Sequence, residues 1–204
     1  MRNLPNENQM KLLVATKNPG KMREIKEFLG NNFEPVSLAD LANAPDVEET
    51  GKTFEENAIL KAKAYFEWSG IPTVADDSGL EIDYLNGEPG IKSRRWLGYE
   101  MTDKEMIDTA LVKLKGAPRE KRIAHLVAIG VYYDGKNTIV ERGSTDGFIT
   151  ETQTIDCEPG YPFRAIFLIP KFNKLYQELT HEEHEQINHR RTLYTKLAAK
   201  IKNP

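Results

Sequence analysis

Residues 74–79 read Val-Ala-Asp-Asp-Ser-Gly, so two adjacent carboxylates follow the short apolar run at residues 71–75. Such a run is typical of a buried strand, and the sequence therefore predicts that Asp76 and Asp77 lie at its end. Ionised carboxylates in that position lose hydration and repel each other unless a cation or hydrogen-bond donors compensate them. The rest of the chain is expected to supply a metal ion, a lysine or arginine, or a turn rich in backbone N–H groups.

The composition is that of a globular chain: 204 residues, a formal net charge of -3, 39% hydrophobic and 29% charged residues. We expect residues 1–10 to be a flexible tail and residues 11–204 to form a single domain. No apolar run reaches the length of a membrane span and no signal-peptide core is visible, which predicts a cytoplasmic protein without a membrane partner. The single Cys157 excludes an intramolecular disulfide, and the absence of a long basic stripe argues against nucleic-acid binding.

Upstream of the double aspartate, a second apolar run at residues 11–16 is followed by Lys-Asn-Pro-Gly-Lys at residues 17–21. This order predicts a strand, a loop and a helix, with Asn18 as N-cap and a proline at the first helical position. A helix N-terminus flanked by two lysines is suited to binding phosphate. A plain strand-to-helix turn with solvated lysines is the alternative, and taken alone it is the more common of the two.

An acidic loop precedes the next helix. Thr53 and a glutamate three residues later form a capping box that predicts a helix over residues 54–68, on which Lys61 shares one face with Asn57. Glu48 and Glu49 come before this helix, and the double aspartate comes after it. Four carboxylates form an all-oxygen set that suits a hard cation such as Mg²⁺. The alternative is that each acidic pair decorates its own turn, and the spacing alone leaves the two interpretations about even.

The remaining periodicity predicts further elements along the chain. Strands are expected at residues 33–38, 80–84, 122–133, 138–142, 146–150 and 165–169, and helices at residues 103–114, 172–179 and 182–201.

Four segments together resemble the Ham1/inosine triphosphatase family: TKNPGK (residues 16–21), EETGKTFEENAILKAKA (48–64), ADDSGLEID (75–83) and GEPGIKSRRW (87–96). The resemblance implies an α/β, ITPase-like fold with a long central mixed β-sheet, flanking helices and two lobes around a nucleotide cleft. It also implies a Mg²⁺-dependent enzyme, forming homodimers, that hydrolyses non-canonical purine nucleoside triphosphates to monophosphate and pyrophosphate.

The resemblance also implies roles for individual residues. Asp77 is expected to be the catalytic base and a Mg²⁺ ligand, together with the ligand Glu48 and the supporting acid Asp76. Lys61 and Glu49 complete the catalytic set, with Lys61 directed at the phosphates, and Arg95 falls near the subunit contact or cleft. The expected substrate-binding residues of this half are Thr16, Lys17, Asn18, Pro19, Gly20, Lys21 and Ser78.

The second half of the chain departs from the family pattern. Where the family has Gly-Phe-Gly-Tyr-Asp-Pro, residues 160–165 read Gly-Tyr-Pro-Phe-Arg-Ala, so that Tyr161 and Phe163 keep aromatic rings for stacking on a base while Arg164 replaces an aspartate. A family lysine becomes His184, and Ser-His-Arg-Gly becomes Asn188-His189-Arg190-Arg191, which retains His189 and Arg190 as donors to a 6-oxo group.

The sequence thus predicts an intact phosphate and metal half and an altered base-binding half. One alternative is therefore a pyrophosphatase with a shifted base preference, like the related Maf proteins that act on modified nucleotides. A nucleotide-binding homologue with low turnover is the alternative outside catalysis.

Overall fold

The computed structural model describes residues 9–202, so residues 1–8 of the predicted tail lie outside the described residues. Within the described range the chain forms seven strands and five α-helices. The strands are β1 (Met10–Val14), β2 (Phe33–Ser37), β3 (Thr73–Ile82), β4 (Ile123–Tyr133), β5 (Thr138–Ile149), β6 (Phe167–Ile169) and β7 (Lys174–Leu175). The helices are α1 (Pro19–Leu29), α2 (Phe54–Ser69), α3 (Asp103–Lys113), α4 (His181–Ile187) and α5 (His189–Lys202).

The strands form one mixed sheet in the order β2-β1-β3-β4-β5-β6-β7. Strand β1 runs parallel to β2 and β3, whereas β6 runs antiparallel to β5 and β7. This arrangement confirms the predicted α/β class with a mixed sheet and flanking helices. Among residues 9–202, none of the helices is long and apolar enough to cross a membrane.

Local signals set the helix starts. The Asn18 side chain accepts hydrogen bonds from the backbone N–H groups of Gly20 and Lys21 at 2.8 and 3.2 Å, which confirms the predicted N-cap of α1. At α2 only half of the predicted capping box forms. The Thr53 hydroxyl accepts from the N–H of Glu56, but the Glu56 carboxylate accepts from Lys52, one residue before the cap.

The described chain divides into two compact units. The first unit contains the residues up to Asp77, Ala128–Gly143 and the residues from Arg190 onward, and the second contains Ser78–Val127 and Ser144–His189. The prediction of one domain over residues 11–204 stays a prediction.

The core of the first unit lies on both faces of its strands. On one face, the side chains of β1, β3 and β4 pack against α1 and α5, with Val74, Leu193 and Leu197 as buried members. On the other face, Ala75 and Val131 pack against two alanines of α2. A side chain at Gly130 would place its Cβ 3.0 Å from the methyl groups of both leucines of α5, so glycine permits this close contact. Successive residues of β3 therefore face different helices.

The second unit has its own core. Leu80 and Ile82 of β3 pack with Ile107 of α3 and with Phe167 of β6, and the ring of Tyr176 is fully buried among them. This core fixes the segment that carries the predicted base-binding residues.

The structure corrects two predictions about strands. Strand β3 is continuous from Thr73 to Ile82, so Asp76 and Asp77 lie within it rather than at its end. The strand continues because each carboxylate meets cations and donors on its own face, as described below. The predicted strands at residues 138–142 and 146–150 likewise form the single strand β5. In addition, β1 begins at Met10, whose N–H donates to the carbonyl of Asn32 at 3.0 Å, so the last residue of the predicted tail is part of the sheet.

Two helix predictions near the C-terminus were also wrong. Residues 172–179 do not form one continuous helix, because Asn173 adopts a left-handed conformation with a φ of 51° and Leu175 pairs with Leu168 in β6. Only Tyr176–Glu178 are helical, as a single 3₁₀ turn. The predicted helix at residues 182–201 is two helices, α4 and α5. It is interrupted at Asn188, where a ψ of 115° ends α4. Thr180 and Glu183 form a capping box that starts α4 earlier than predicted.

Candidate active site

The two adjacent aspartates of β3 have different surroundings, because neighbouring side chains of a strand point to opposite faces of the sheet. Asp76 lies on the face covered by α1 and α5, and Asp77 lies on the face covered by α2. The predicted pair is therefore two separate carboxylates with different partners.

Asp76 is buried, with 4% of its surface exposed, and it is surrounded by cations and a hydroxyl. Tyr194 donates a hydrogen bond to Oδ1 at 3.1 Å, and Lys21 Nζ and Arg190 Nε lie 3.4 and 3.6 Å from Oδ2. Burial by itself raises the pKa of Asp76. The charges of these two cations and of Lys61, together with the tyrosine hydrogen bond, act in the opposite direction and hold the pKa well below its ordinary value. Asp76 is therefore a fixed anion that orders the cations around it.

The pKa of Asp77 is shifted in the opposite direction from that of Asp76. Its Oδ2 accepts a hydrogen bond from Asn57 at 3.0 Å, and its Oδ1 lies 3.6 Å from Lys61 Nζ. Burial raises the pKa of Asp77, and the negative charges of Glu49 and Asp76 act in the same direction, so that the pKa ends above its ordinary value although Lys61 and Asn57 lower it. A carboxylate with a raised pKa is a better proton acceptor than an ordinary one, which suits a general base.

Lys61 connects the acidic loop to β3. Its Nζ lies 2.7 Å from Glu49 Oε1 and donates at 2.8 Å to the backbone carbonyl of Asp76. Burial lowers the pKa of Lys61, but the three carboxylates of Asp77, Asp76 and Glu49 raise it by more. Lys61 is thus a permanent positive charge directed at the predicted catalytic residues.

Asn57 contacts the proposed catalytic residue Asp77, but the sequence did not lead us to predict a role for it. It is 2% exposed, its Nδ2 donates to Asp77, and its Oδ1 accepts from the N–H of Gly51 at 2.8 Å. A Cβ at Gly51 would lie 2.6 Å from that Oδ1, so the loop needs glycine there. The signal was present in the sequence, because Asn57 stands four residues before Lys61 on one helical face. Tyr194 was missed too, and no local pattern marks it.

The loop predicted to bind phosphate precedes α1 as expected, but two of its backbone N–H groups are already hydrogen-bonded. Because Asn18 Oδ1 already accepts from two N–H groups of the first turn of α1, those groups are occupied in this structure. Lys21 Nζ lies 3.4 Å from Asp76 Oδ2. Burial is the largest influence on the pKa of Lys21, and it lowers that pKa. Lys17 forms an exposed ion pair with Asp46 at 2.7 Å, and Thr16 is held by a hydrogen bond from Ser37 to its carbonyl. The loop therefore offers lysine side chains rather than free backbone donors.

The carboxylates suit a divalent cation by their chemistry. Burial is the main cause of the raised pKa of Asp77, and the negative charges of Glu49 and Asp76 add to it. A bound cation would relieve that repulsion. Oxygen ligands are those that Mg²⁺ prefers. In residues 9–202, however, Glu48, Asp76 and Asp77 do not form a set whose ligand atoms lie within 4.8 Å of one another, and Glu48 is exposed. The side chain of Asp76 is engaged by its cations on the other face of β3, so the geometry favours Asp77 over Asp76 as the ligand.

The predicted base-binding residues gather in the second unit around Tyr176. We call this the aromatic–basic cluster; its members are Tyr161, Arg164, Tyr176, His184 and His189. The guanidinium carbon of Arg164 lies 3.7 Å from the centre of the Tyr161 ring, and the rings of Tyr176 and His184 meet edge to face at 4.7 Å. His189 lies against the same Tyr176 ring at 6.2 Å. Phe163, by contrast, is part of the hydrophobic core of this unit.

The structure thus brings most predicted residues into two groups, one in each unit. The first group contains Lys21, Glu49, Lys61, Asp76, Asp77 and Arg190, and the second is the aromatic–basic cluster. Arg190 pairs with Asp76 in the first unit, so its predicted role as a donor to a 6-oxo group stays a prediction. Ser78 follows the two aspartates in β3, and Arg95 is an exposed residue at the end of a 3₁₀-helix.

Comparisons with known proteins identify the family of this chain. The model of the Ham1 family matches residues 12–200. The dITP/XTP pyrophosphatase of Geobacillus kaustophilus is 42% identical over 188 residues, which is 91% of each chain. The protein of the same name from Bacillus subtilis is 39% identical over 91% of this chain and 94% of its own.

Solved structures show the same relationship. The Ham1 protein of Staphylococcus aureus superposes with a TM-score of 0.82 at 35% identity, covering 94% of this chain and 98% of the other. A HAM1 protein from Coxiella burnetii gives a TM-score of 0.84 at 30% identity over 96% of this chain. The chain whose β3 places one aspartate against α5 and the next against α2 belongs to the Ham1 family.

Proposed function

We propose that this protein is a nucleoside triphosphate pyrophosphohydrolase that cleaves non-canonical purine triphosphates of the ITP, dITP and XTP type to monophosphate and pyrophosphate. The observation that carries the proposal is the set of contacts joining Lys61, Asn57 and Asp77 on the α2 face of β3. Relatives named dITP/XTP pyrophosphatase that match over nine-tenths of the chain support the substrate class.

The lysines of the first unit supply the positive charge that a triphosphate requires. Lys61 lies beside Asp77, and Lys21 lies beside Asp76. Lys17 lies in the loop between β1 and α1. Negative charge develops on the phosphoryl oxygens in the transition state of phosphoryl transfer, and fixed cations lower the energy of that transition state. We assign these lysines to binding the phosphates, with Asn18 and Pro19 shaping the loop that positions Lys17 and Lys21.

Asp77 is the proposed general base. In hydrolysis, the oxygen of water forms a bond to phosphorus as the bond between the α- and β-phosphates breaks, and the proton released from water passes to a carboxylate. The position of Asp77 beside Lys61 suits it to accept that proton, and the Asn57 hydrogen bond fixes its orientation. Glu49 holds Lys61 beside Asp77.

A Mg²⁺ ion is the proposed cofactor, and Asp77 and Glu48 would hold it. Asp76 was the third predicted ligand, but its carboxylate is engaged by Lys21 and Arg190 on the other face of β3. When bound, such an ion neutralises charge on the phosphate oxygens. The exposed carboxylate of Glu48 makes it available to a cation.

The residues of the aromatic–basic cluster are assigned to the base, with Tyr161 as the aromatic surface and His184 and His189 as donors. We further propose a cytoplasmic homodimer with no nucleic-acid or membrane partner. The half-exposed side chains of Leu97 and Tyr99 in the second unit support a protein–protein contact there.

The test is pyrophosphate release from ITP, dITP, XTP and ATP in the presence and absence of Mg²⁺, with Lys61→Met as the variant. Lys63→Met is the matched control, because Lys63 is an exposed lysine of the same helix that contacts Tyr133. We expect Lys61→Met to reduce kcat/KM for ITP by about 100-fold or more, as for loss of a group that stabilises the transition state, and Lys63→Met to match the wild type.

Two results would contradict the proposal. Release of orthophosphate without pyrophosphate would place the cleavage at a different bond. Tight nucleotide binding with no release of either product would favour the nucleotide-binding alternative.

A further inference from the structure

Tyr194 is a buried tyrosine of α5 whose hydroxyl reaches the carboxylate of Asp76. The residue is 0% exposed, and it belongs to the same hydrophobic cluster of the first unit as Val14 and Val74. Its hydroxyl donates a hydrogen bond to Asp76 Oδ1 at 3.1 Å. A buried hydroxyl without a partner would be costly, and the packing of the rigid ring determines where its oxygen lies. Tyr194 therefore presents a hydrogen-bond donor at a fixed point.

This hydrogen bond determines how the Asp76 carboxylate is turned. The terminal torsion of an aspartate is broad, so the carboxylate rotates easily unless one of its oxygens is held. The contact of Oδ1 with the tyrosine hydroxyl is shorter than those of Oδ2 with Lys21 Nζ, at 3.4 Å, and with Arg190 Nε, at 3.6 Å. By holding Oδ1, the hydroxyl directs Oδ2 toward the two cations.

Lys21 is the cation on which this orientation acts. Its side chain is 26% exposed, whereas that of Asp76 is 2% exposed, so a ligand can reach Lys21 but not the carboxylate behind it. A lysine ammonium is a point charge on a flexible stem, and its position is defined only by the groups that hold it. Asp76 Oδ2 is such a group, and its own position depends on Tyr194. The rigid ring of Tyr194 is thus connected to Lys21 through one carboxylate.

We propose that Tyr194 is a positioning residue for phosphate binding, which acts through Asp76 to hold the ammonium of Lys21 where it meets a phosphate oxygen of the substrate. The inference rests on the proposed function, because that function assigns Lys21 to the phosphates. Loss of the hydroxyl then weakens binding of the phosphates, even though Tyr194 itself does not touch the substrate.

The experiment measures binding of inorganic pyrophosphate by calorimetry, without added metal ion, to the wild type, Tyr194→Phe, Lys21→Met and the double variant. Pyrophosphate carries no base, so its affinity reports the phosphate contacts alone. We expect Lys21→Met to weaken binding by about 10- to 100-fold, as for loss of a hydrogen bond to a charged group, and Tyr194→Phe by about three- to tenfold. In the Lys21→Met background, Tyr194→Phe should have no further effect, because the effects of residues that act through one another are not additive.

Tyr132→Phe is the matched control. Tyr132 belongs to the same hydrophobic cluster, is 5% exposed, and also donates its hydroxyl to an aspartate, Asp134, at 3.3 Å. Asp134 begins the turn after β4, which contains none of the predicted site residues. Both substitutions keep the ring and its packing, and Asp76 keeps its two cations in Tyr194→Phe, so folding is not at risk. Thermal unfolding checks this, and only Tyr194→Phe should change the affinity for pyrophosphate.

The kinetics give a second readout. With ITP, Tyr194→Phe should raise KM by the same factor and change kcat less, since Lys21 binds the phosphates both before and during the reaction. Unchanged pyrophosphate affinity in Tyr194→Phe, an equal loss in Tyr132→Phe, or a full effect of Tyr194→Phe in the Lys21→Met background would overturn the inference. A wild type that does not bind pyrophosphate would overturn it too.

Failure of the wild type to release pyrophosphate from any triphosphate would refute the proposed function. Release of pyrophosphate by the wild type, together with unaltered pyrophosphate affinity in Tyr194→Phe, would refute only the inference.

Discussion

Replacing the two adjacent aspartates of β3 by asparagine should have opposite consequences for stability. Asp76→Asn removes the buried anion that faces Lys21 and Arg190 and leaves these two cations without their shared carboxylate charge. Breaking a buried ion pair by removing one partner costs about 3–5 kcal/mol. For a chain of this length each kcal/mol shifts Tm by about 2–4 °C, so we expect Tm to fall by roughly 6–20 °C.

Asp77→Asn should leave the free energy of unfolding unchanged or raise it by up to about 1 kcal/mol. The raised pKa of Asp77 means that its ionised form is less stable in the folded state than in the unfolded state, and asparagine removes that charge. The amide oxygen of the new residue can still accept the hydrogen bond from Asn57, and Lys61 keeps its partner Glu49. Pyrophosphate release should nevertheless be abolished, because the proposed base is gone.

The assays are urea denaturation and thermal unfolding of both variants, together with pyrophosphate release from ITP. The pH dependence provides a further check on Asp76. Since its pKa is lowered in the folded state, its contribution is complete above the ordinary value of 3.8 and is lost as the pH falls through the folded pKa. The gap between wild type and Asp76→Asn should therefore stay constant from neutral pH down to that value and close in stronger acid. An Asp76→Asn variant as stable as the wild type, or a fully active Asp77→Asn variant, would refute the reasoning.

Two further predictions concern other polar contacts. Asn57→Ala removes the hydrogen bond that lowers the pKa of Asp77, so the acid limb of the kcat/KM profile should move to higher pH; an unmoved limb in a folded variant would contradict the assignment of Asp77 as base. His125 lies between Asp146 at 2.8 Å and Asp83 at 3.1 Å, and these carboxylates raise its pKa although burial, the largest effect, lowers it. The His125 contribution, roughly 1 kcal/mol or less for such exposed acids, should be present below pH 6.5 and disappear as the pH rises through the folded pKa. Urea midpoints of wild type and His125→Gln at several pH values test this, and a gap that widens toward alkaline pH would exclude it.

Much of the local structure could be predicted because its causes are local. The N-cap at Asn18 and the cap at Thr53 involve residues only a few positions apart, so their hydrogen bonds follow from spacing. The helix at α3 and the long strand β4 follow from apolar periodicity. The resemblance of four ordered segments to the Ham1 family identified the family, which the comparisons confirm.

Other features depend on contacts that no local pattern records. The break at Asn188 and the strand at Lys174–Leu175 arise from pairing and backbone conformation specific to the folded chain. In the sequence, Arg164 is recognisable only as a departure from the family motif. Its burial and its position over the Tyr161 ring depend on the folded chain.

The double aspartate shows the division most clearly. The sequence by itself determined that two carboxylates stand next to each other after an apolar run, and that lysines must lie near them. Only the tertiary structure decided that they are not a pair. Because β3 continues through them, alternation turns Asp76 toward α5 and Asp77 toward α2. The Tyr194 hydroxyl then reaches Asp76 from 118 residues away, and the opposite shifts of the two pKa values follow from those different neighbours.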